Sequence, residues 1–176
     1  MAAKTFKFDL AHSRVGFTVR HMMFAKVRGH FATWDGELVL DPENPSASRV
    51  MARIETASID TGVADRDNHL RSGDFFDVEE FPAIEFVSTG FERAPGGYKV
   101  HGNLTIRGTT NPVTLDVEDN GSGVDPWGQT RIGLTATTKL DREAFGLTWN
   151  QALEAGGVLV GKEVGVELEL QAIAQA

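Results

Sequence analysis

Residues 99–118 read KVHGNLTIRGTTNPVTLDVE, and the fold follows from how this stretch alternates. Val100, Gly102, Leu104 and Ile106 fall on one face; Lys99, His101, Asn103, Thr105 and Arg107 fall on the other. Beyond Asn111-Pro112, Val113, Leu115 and Val117 alternate with Thr114, Asp116 and Glu118. One apolar face at period two is the mark of a half-buried antiparallel strand.

The same period recurs outward in both directions. Val15, Phe17, Val19 and His21 share one face of residues 14–21. Ile132, Leu134, Ala136, Thr138 and Leu140 form another row. Val164, Val166, Leu168 and Leu170 form the last, with Glu163, Glu167 and Glu169 around them. Weaker strands are expected at 5–10, 26–33, 34–41, 49–59 and 83–90. Turn chemistry is expected at Asp35-Gly36, Asp41-Pro42, Asn44-Pro45, Pro95-Gly96-Gly97, Asn111-Pro112, Asn120-Gly121 and Gly156-Gly157. Only residues 63–72, VADRDNHLRS, read as helix, with Asp60 or Thr61 as N-cap and Gly73 past its end. Nine or ten short strands and one helix make an all-β barrel or sandwich. A closed barrel removes the sheet edges and turns alternate side chains inward. Ala52, Gly102 and Ala136 are small inward positions and favour a cavity, against the alternative of a solid core.

Composition narrows the function. A length of 176 residues predicts one domain, residues 1–176. With 17 Lys plus Arg against 25 Asp plus Glu, the net charge of -8 argues against nucleic acid or an anionic membrane as the main partner. The absence of cysteine excludes disulfides, thiolate nucleophiles and Cys-type metal sites. The longest run without a charged residue is ten residues, Ala144–Leu153, too short to span a membrane as a helix. MAAKTFKFDL has no apolar leader core, so a cytoplasmic protein is expected.

Tests for catalytic motifs fail. Gly156, Gly161 and Lys162 have the spacing of a phosphate loop, but Glu163 stands where Ser or Thr must hold magnesium, and a strand follows in place of a helix. Residues 65–70, DRDNHL, lack the Gly and terminal Glu of a calcium loop. The five histidines form no HxH or HExxH pair, so neither metal nor cofactor is expected. Asp74, Asp77, Glu79 and Glu80 read as solvated or capping carboxylates. Phe17, Phe24, Phe31, Phe75, Phe76, Phe86 and Trp149 serve equally as core or as the lining of an apolar pocket. His21 is a satisfied core histidine, a polar anchor in a ligand cavity or, in the third reading, a ligand of a metal site assembled across strands.

Three stretches together resemble one family: FDLAHSRVGFTVRHMMFAKVRGHFATWDGEL, RDNHLRSGDFFDVEEFPAIEF, and KLDREAFGLTWN followed by GGVLVGKEVGVELEL. They are similar to the YceI-like family, the lipocalin-like polyisoprenoid-binding proteins of bacteria, over residues 5–172. The resemblance implies an eight-stranded antiparallel barrel with a long apolar cavity and one short helix. It implies non-catalytic binding or carriage of a long-chain amphiphile, above all an isoprenoid such as a polyprenyl phosphate or isoprenoid quinone. It implies no catalytic reaction. The missing leader resembles the cytoplasmic branch of the family. Members include dimers, which leaves a homodimer open.

Alternation and resemblance together place Phe17, Val19, His21, Phe31, Ile54, Phe86, Leu104 and Leu134 inside the barrel. Head-group donors are sought among His21, His69, Lys139 and Arg142, the last two being surface charges in the competing reading. Two other functions stay open: an enzyme acting on a lipid held in the cavity, and a filled barrel with a stress-related structural role.

Overall fold

The computed structural model describes residues 3–154 and 156–176. Eleven strand segments form one antiparallel sheet: β1 (Lys4–Phe8), β2 (Arg14–His21), β3 (Ala25–Phe31), β4 (Trp34–Leu40), β5 (Arg49–Glu55), β6 (Ile59–Asp60), β7 (Ala83–Ala94), β8 (Gly97–Ile106), β9 (Thr109–Val124), β10 (Thr130–Asp141) and β11 (Val160–Ala174). Their registers show that six of these segments are halves of three long, kinked strands. β1 and β2 both run along β11, with Phe8 opposite Ala172 and Arg14 opposite Glu169. β4 and β3 run along β1 and β2 in turn, with Lys7 opposite Glu37 and Val15 opposite Phe31. β5 and β6 follow, with Trp34 opposite Ile54 and Phe31 opposite Ile59.

Counted this way the sheet has eight strands, each antiparallel to its neighbour in sequence. The long β11 closes the ring onto β1 and β2. The expectation of nine or ten strands arises because 5–10 and 14–21, and again 26–33 and 34–41, count separately across the kinks at 9–13 and 32–33; the expected strand 49–59 already spans the third kink, at 56–58. The kinks at 32–33 and 56–58 lie side by side: Ala32 N–H donates to the Ser58 carbonyl at 3.1 Å and Glu55 N–H to the Thr33 carbonyl at 3.0 Å.

Three expected turns are strand interior. Asn111-Pro112 lies within β9; the hairpin turns instead at Arg107-Gly108, with φ of 48° and 74°, the positive pair a two-residue connection demands. Pro112 is tolerated because residues 109–115 pair only with β8 among the described strands, so no ladder bond on the other edge is lost. Asp35-Gly36 lies within β4, where a Cβ on Gly36 would stand 2.7 Å from the carbonyl oxygen of Met51. Asn120-Gly121 makes a bulge: Gly133 faces Gly121 while Leu134 faces Asp119, leaving Asn120 extra, and Gly121 takes φ 108°.

The two ends of the barrel differ. Phe6, Leu40, Ile132 and Ala172 are buried and close one end. At the other, Val19, Leu140, Val160 and Val164 are only half-buried. This mouth is covered by helix α1 (Ala64–Arg71), the turns of residues 72–82 and residues 142–147, which bring Leu70, Phe75, Phe76, Phe145 and Leu147 over it. The helix has Val63 at its N-cap and no side-chain cap, so the expected Asp60 or Thr61 cap is corrected. Thr61 is instead the donor: its backbone N and Oγ1 bond the buried Asp67 carboxylate at 2.9 and 2.5 Å. At the other end of the helix, Arg71 donates to the carbonyls of Ala57 and Ile59 at 2.8 and 3.0 Å.

Candidate functional site

Alternate residues of all eight strands turn inward and enclose an apolar cavity of about 250 Å³ along the barrel axis. On β11 alone the wall runs from Val160 to Leu170, ten residues on, or roughly 33 Å of strand at about 3.3 Å per residue. The space is therefore long and narrow. Leu70 of α1 and Phe75 and Phe76 of the following turns close it from the mouth side. Phe31 ties wall to cover, with ring centroids 5.6 Å from Phe17 and 5.8 Å from Phe76.

Among the anticipated lining residues, Phe17, Val19, Phe31, Ile54, Phe75, Phe76, Phe86, Leu104 and Leu134 are all in the wall. Phe24 is not: it sits 77% exposed in the β2–β3 connection. Trp149 lies one layer out, packed edge-on against His69 with centroids 4.7 Å apart and tilted against Phe75 at 5.4 Å. Of the small inward positions, Ala52 and Ala136 face the cavity. Gly102 does not open space, because the Phe86 ring lies across it. The alternation of β9, β10 and β11 also supplies Val117, Thr138, Val164, Val166 and Leu168, which the same period-two reading already marked as inward.

The head-group candidates separate sharply. Lys139 is exposed and lies between the inward Thr138 and Leu140, so it points outward. His21 is at the rim, paired with Val160 and Ala25, outside the wall and without a side-chain hydrogen bond among the described residues. His69 bonds Asp74 at 2.9 Å on the outside of the cover. Arg142 alone reaches the cavity while 5% exposed.

Arg142 follows β10 in a single helical turn, Arg142–Phe145, that Gly146 ends at φ 84°. Its guanidinium donates only to backbone carbonyls: Nε to Gly161 at 2.8 Å, Nη1 to Leu147 at 2.7 Å and Trp149 at 2.9 Å, and Nη2 to Val160 at 3.3 Å. Among the described residues no carboxylate stands within ion-pair distance; Asp141 and Glu143 pair with Lys162 instead. Burial lowers its pKa below the usual arginine range, against the opposing pull of Glu143 and Asp141. The group stays cationic at neutral pH. A buried, uncompensated positive charge thus sits at the mouth of an apolar cavity. Among the described residues no group of three His, Asp or Glu could hold a metal, and no helix is long and apolar enough to cross a membrane.

A closed up-and-down barrel around an internal apolar cavity defines the lipocalin-like class of architecture. A family model described as YceI-like domain matches residues 6–172, and the chain belongs to that family. It is 42% identical to a UPF0312 protein of Staphylococcus aureus strain USA300, over 92% of this chain and 93% of the relative. The structure is similar to that of BcnA from Burkholderia cenocepacia, with TM-score 0.81 and 26% identity over 93% of this chain and 98% of the other. A Campylobacter jejuni YCEI protein matches with TM-score 0.76 and 25% identity, over 89% and 90%. A polyisoprenoid binding domain from Saccharophagus degradans shares the fold at 14% identity and TM-score 0.68, over 97% and 98%.

Proposed function

We propose that this protein binds and carries, without catalysis, a long-chain amphiphile whose apolar tail fills the barrel. The observation that carries the reading is the long, apolar cavity with the cation of Arg142 at its mouth. Supporting it are membership of the YceI-like family and a structural neighbour that is a polyisoprenoid binding domain. An isoprenoid fits best, and the uncompensated charge of Arg142 favours a phosphate head over a neutral quinone.

Contact with the wall is apolar and non-directional, so tail length sets affinity. At roughly 0.3 kcal/mol per heavy atom, every ten carbons that the barrel encloses contribute about -3 kcal/mol. The test has two arms. Purified protein is extracted into organic solvent and analysed by mass spectrometry; one intact amphiphile is expected. Delipidated protein is then titrated with prenyl chains of rising length sharing one head, and affinity rises with length until the cavity is full. An empty extract with length-independent affinity overturns the reading, and a substrate–product mixture replaces it with an enzyme.

A further inference from the structure

The connection between β2 and β3 is three residues long, Met22-Met23-Phe24, and all three are exposed. Phe24 stands out into solvent, and Met23 is 59% exposed. Both methionines take positive φ, 53° and 72°, where hairpin chemistry prefers Asn or Gly. Large apolar side chains thus occupy places that the turn itself would give to small polar ones.

The flanks carry the second observation. Between Asp9 and Asp35 the chain has no Asp or Glu, yet it holds Arg14, Arg20, Lys26 and Arg28, in a chain of net charge -8. Arg20 stands directly opposite Lys26, a like-charge cross-strand pair that disfavours the hairpin. Arg20, Lys26 and Arg28 are exposed, and none has a carboxylate partner among the described residues. The overall acidity hid this basic strip.

Position is the third. Met22 N bonds the carbonyl of Leu159 at 2.8 Å, and His21 pairs with Val160, whose own carbonyl accepts from Arg142. The tip therefore stands at the cavity mouth, next to the buried cation. The opposite tip is a useful contrast. Trp127 there is 80% exposed, but it stands over the closed end, and the nearby Arg131 is already paired with Asp9 and Asp125.

We infer that the β2–β3 tip is a docking device for an anionic lipid bilayer, with Met22, Met23 and Phe24 entering the interface and Arg20, Lys26 and Arg28 meeting lipid phosphates. An apolar tip ringed by unpaired cations is the chemistry of interfacial binding. The inference deepens the carrier reading, because it brings the cavity mouth to the surface from which an amphiphile would be drawn.

The test is flotation of the full chain with vesicles of phosphatidylcholine alone and with about a third phosphatidylglycerol. Wild type is expected to float with the anionic vesicles and to be released by salt. Arg20→Gln/Lys26→Gln/Arg28→Gln loses about fivefold in vesicle affinity per charge, roughly a hundredfold together. Met22→Asn/Met23→Gly/Phe24→Ser loses roughly tenfold or more, although its turn chemistry suits the hairpin better, so loss of fold does not explain the result. Trp127→Ala floats like wild type. Uptake of a prenyl chain delivered from cyclodextrin is measured in parallel; it stays unchanged in these variants, and its failure in wild type would count against the cavity reading alone. Wild type that ignores anionic vesicles, triple variants that float as it does, or a tip that instead joins two copies in light scattering would each overturn the inference.

Discussion

The ring of Phe86 lies so closely over Gly102 that a Cβ there would stand 2.3 Å from its Cζ. The glycine is the seat of the ring, and the ring is part of the cavity wall. Gly102→Ala therefore pushes Phe86 toward the cavity and costs about 1–3 kcal/mol by overpacking. Chemical denaturation measures the loss. Adding Phe86→Leu recovers a substantial part of it, since the two sites are coupled; recovery stays incomplete because the Val87 carbonyl oxygen is only 2.8 Å from the same point. Strict additivity would show the two residues to be independent.

Arg131 bonds Asp9 and Asp125, each at 2.7 Å, and fastens the start of β10 to the kink between β1 and β2. The Arg131 guanidinium, helped by His12, holds the Asp9 carboxyl at about 2, below its ordinary 3.8. A lowered folded-state pKa means the contribution to stability is full above about 3.8 and is lost as pH falls through about 2. Arg131→Met returns Asp9 toward its ordinary value and flattens the acid limb of the stability curve. Carboxyl NMR titration of Asp9 in both proteins checks this, and an unmoved Asp9 refutes it.

Arg142 offers a test of the head group. Wild type is expected to bind a prenyl phosphate at least tenfold more tightly than the prenyl alcohol of equal tail. Charge-assisted contacts are roughly twice as strong as neutral ones, which carries this preference. Arg142→Lys keeps the charge but lacks the planar fork that serves four carbonyls, so it loses stability while keeping part of the phosphate preference. Equal affinity for phosphate and alcohol in wild type would remove Arg142 from head-group binding.

Asp67 holds the cover in place through Thr61. Asp67→Ala leaves the Thr61 N–H without its acceptor and costs about 1–3 kcal/mol. Amides of residues 61–71 then exchange faster and bound ligand leaves sooner, while the barrel strands keep their protection. Asp67→Asn, which retains an acceptor oxygen, shows a smaller effect. Uniform exchange across the molecule would mean that cover and barrel open together.

The inward rows were readable because strand alternation leaves little freedom: once Leu134 and Ala136 face in, Thr138 and Leu140 must follow. The same rule already placed Lys139 outside, and its nomination as a head-group donor followed the charge instead of the parity. Phe24 misled for a different reason. Its aromatic character is equally at home in a core and at a membrane interface, and the Met22–Met23 connection carries no glycine or asparagine to announce a turn. The role of Arg142 is not legible in the sequence, since two of its carbonyl partners, Leu147 and Trp149, come from an irregular segment whose path no periodicity describes, and the other two, Val160 and Gly161, open β11 ahead of the alternating row that begins at Val164. Asn120-Gly121 has the residues of a turn and forms a bulge instead, because a bulge and a turn both ask for a residue that takes the positive φ of Gly121.

The order of the strands also governs how the protein is made. Seven of the eight seams of the barrel join strands adjacent in sequence, and only the eighth joins the first strand to the last. Short-range seams can zip as the chain leaves the ribosome, whereas the eighth must wait for the final residues and then close a loop of nearly the whole chain. Until Val160–Ala174 emerges there is a curling sheet with an open edge and no interior. The cavity comes into being in one late step, and a chain cut short before β11 would expose as a sticky edge the surface that the finished barrel hides.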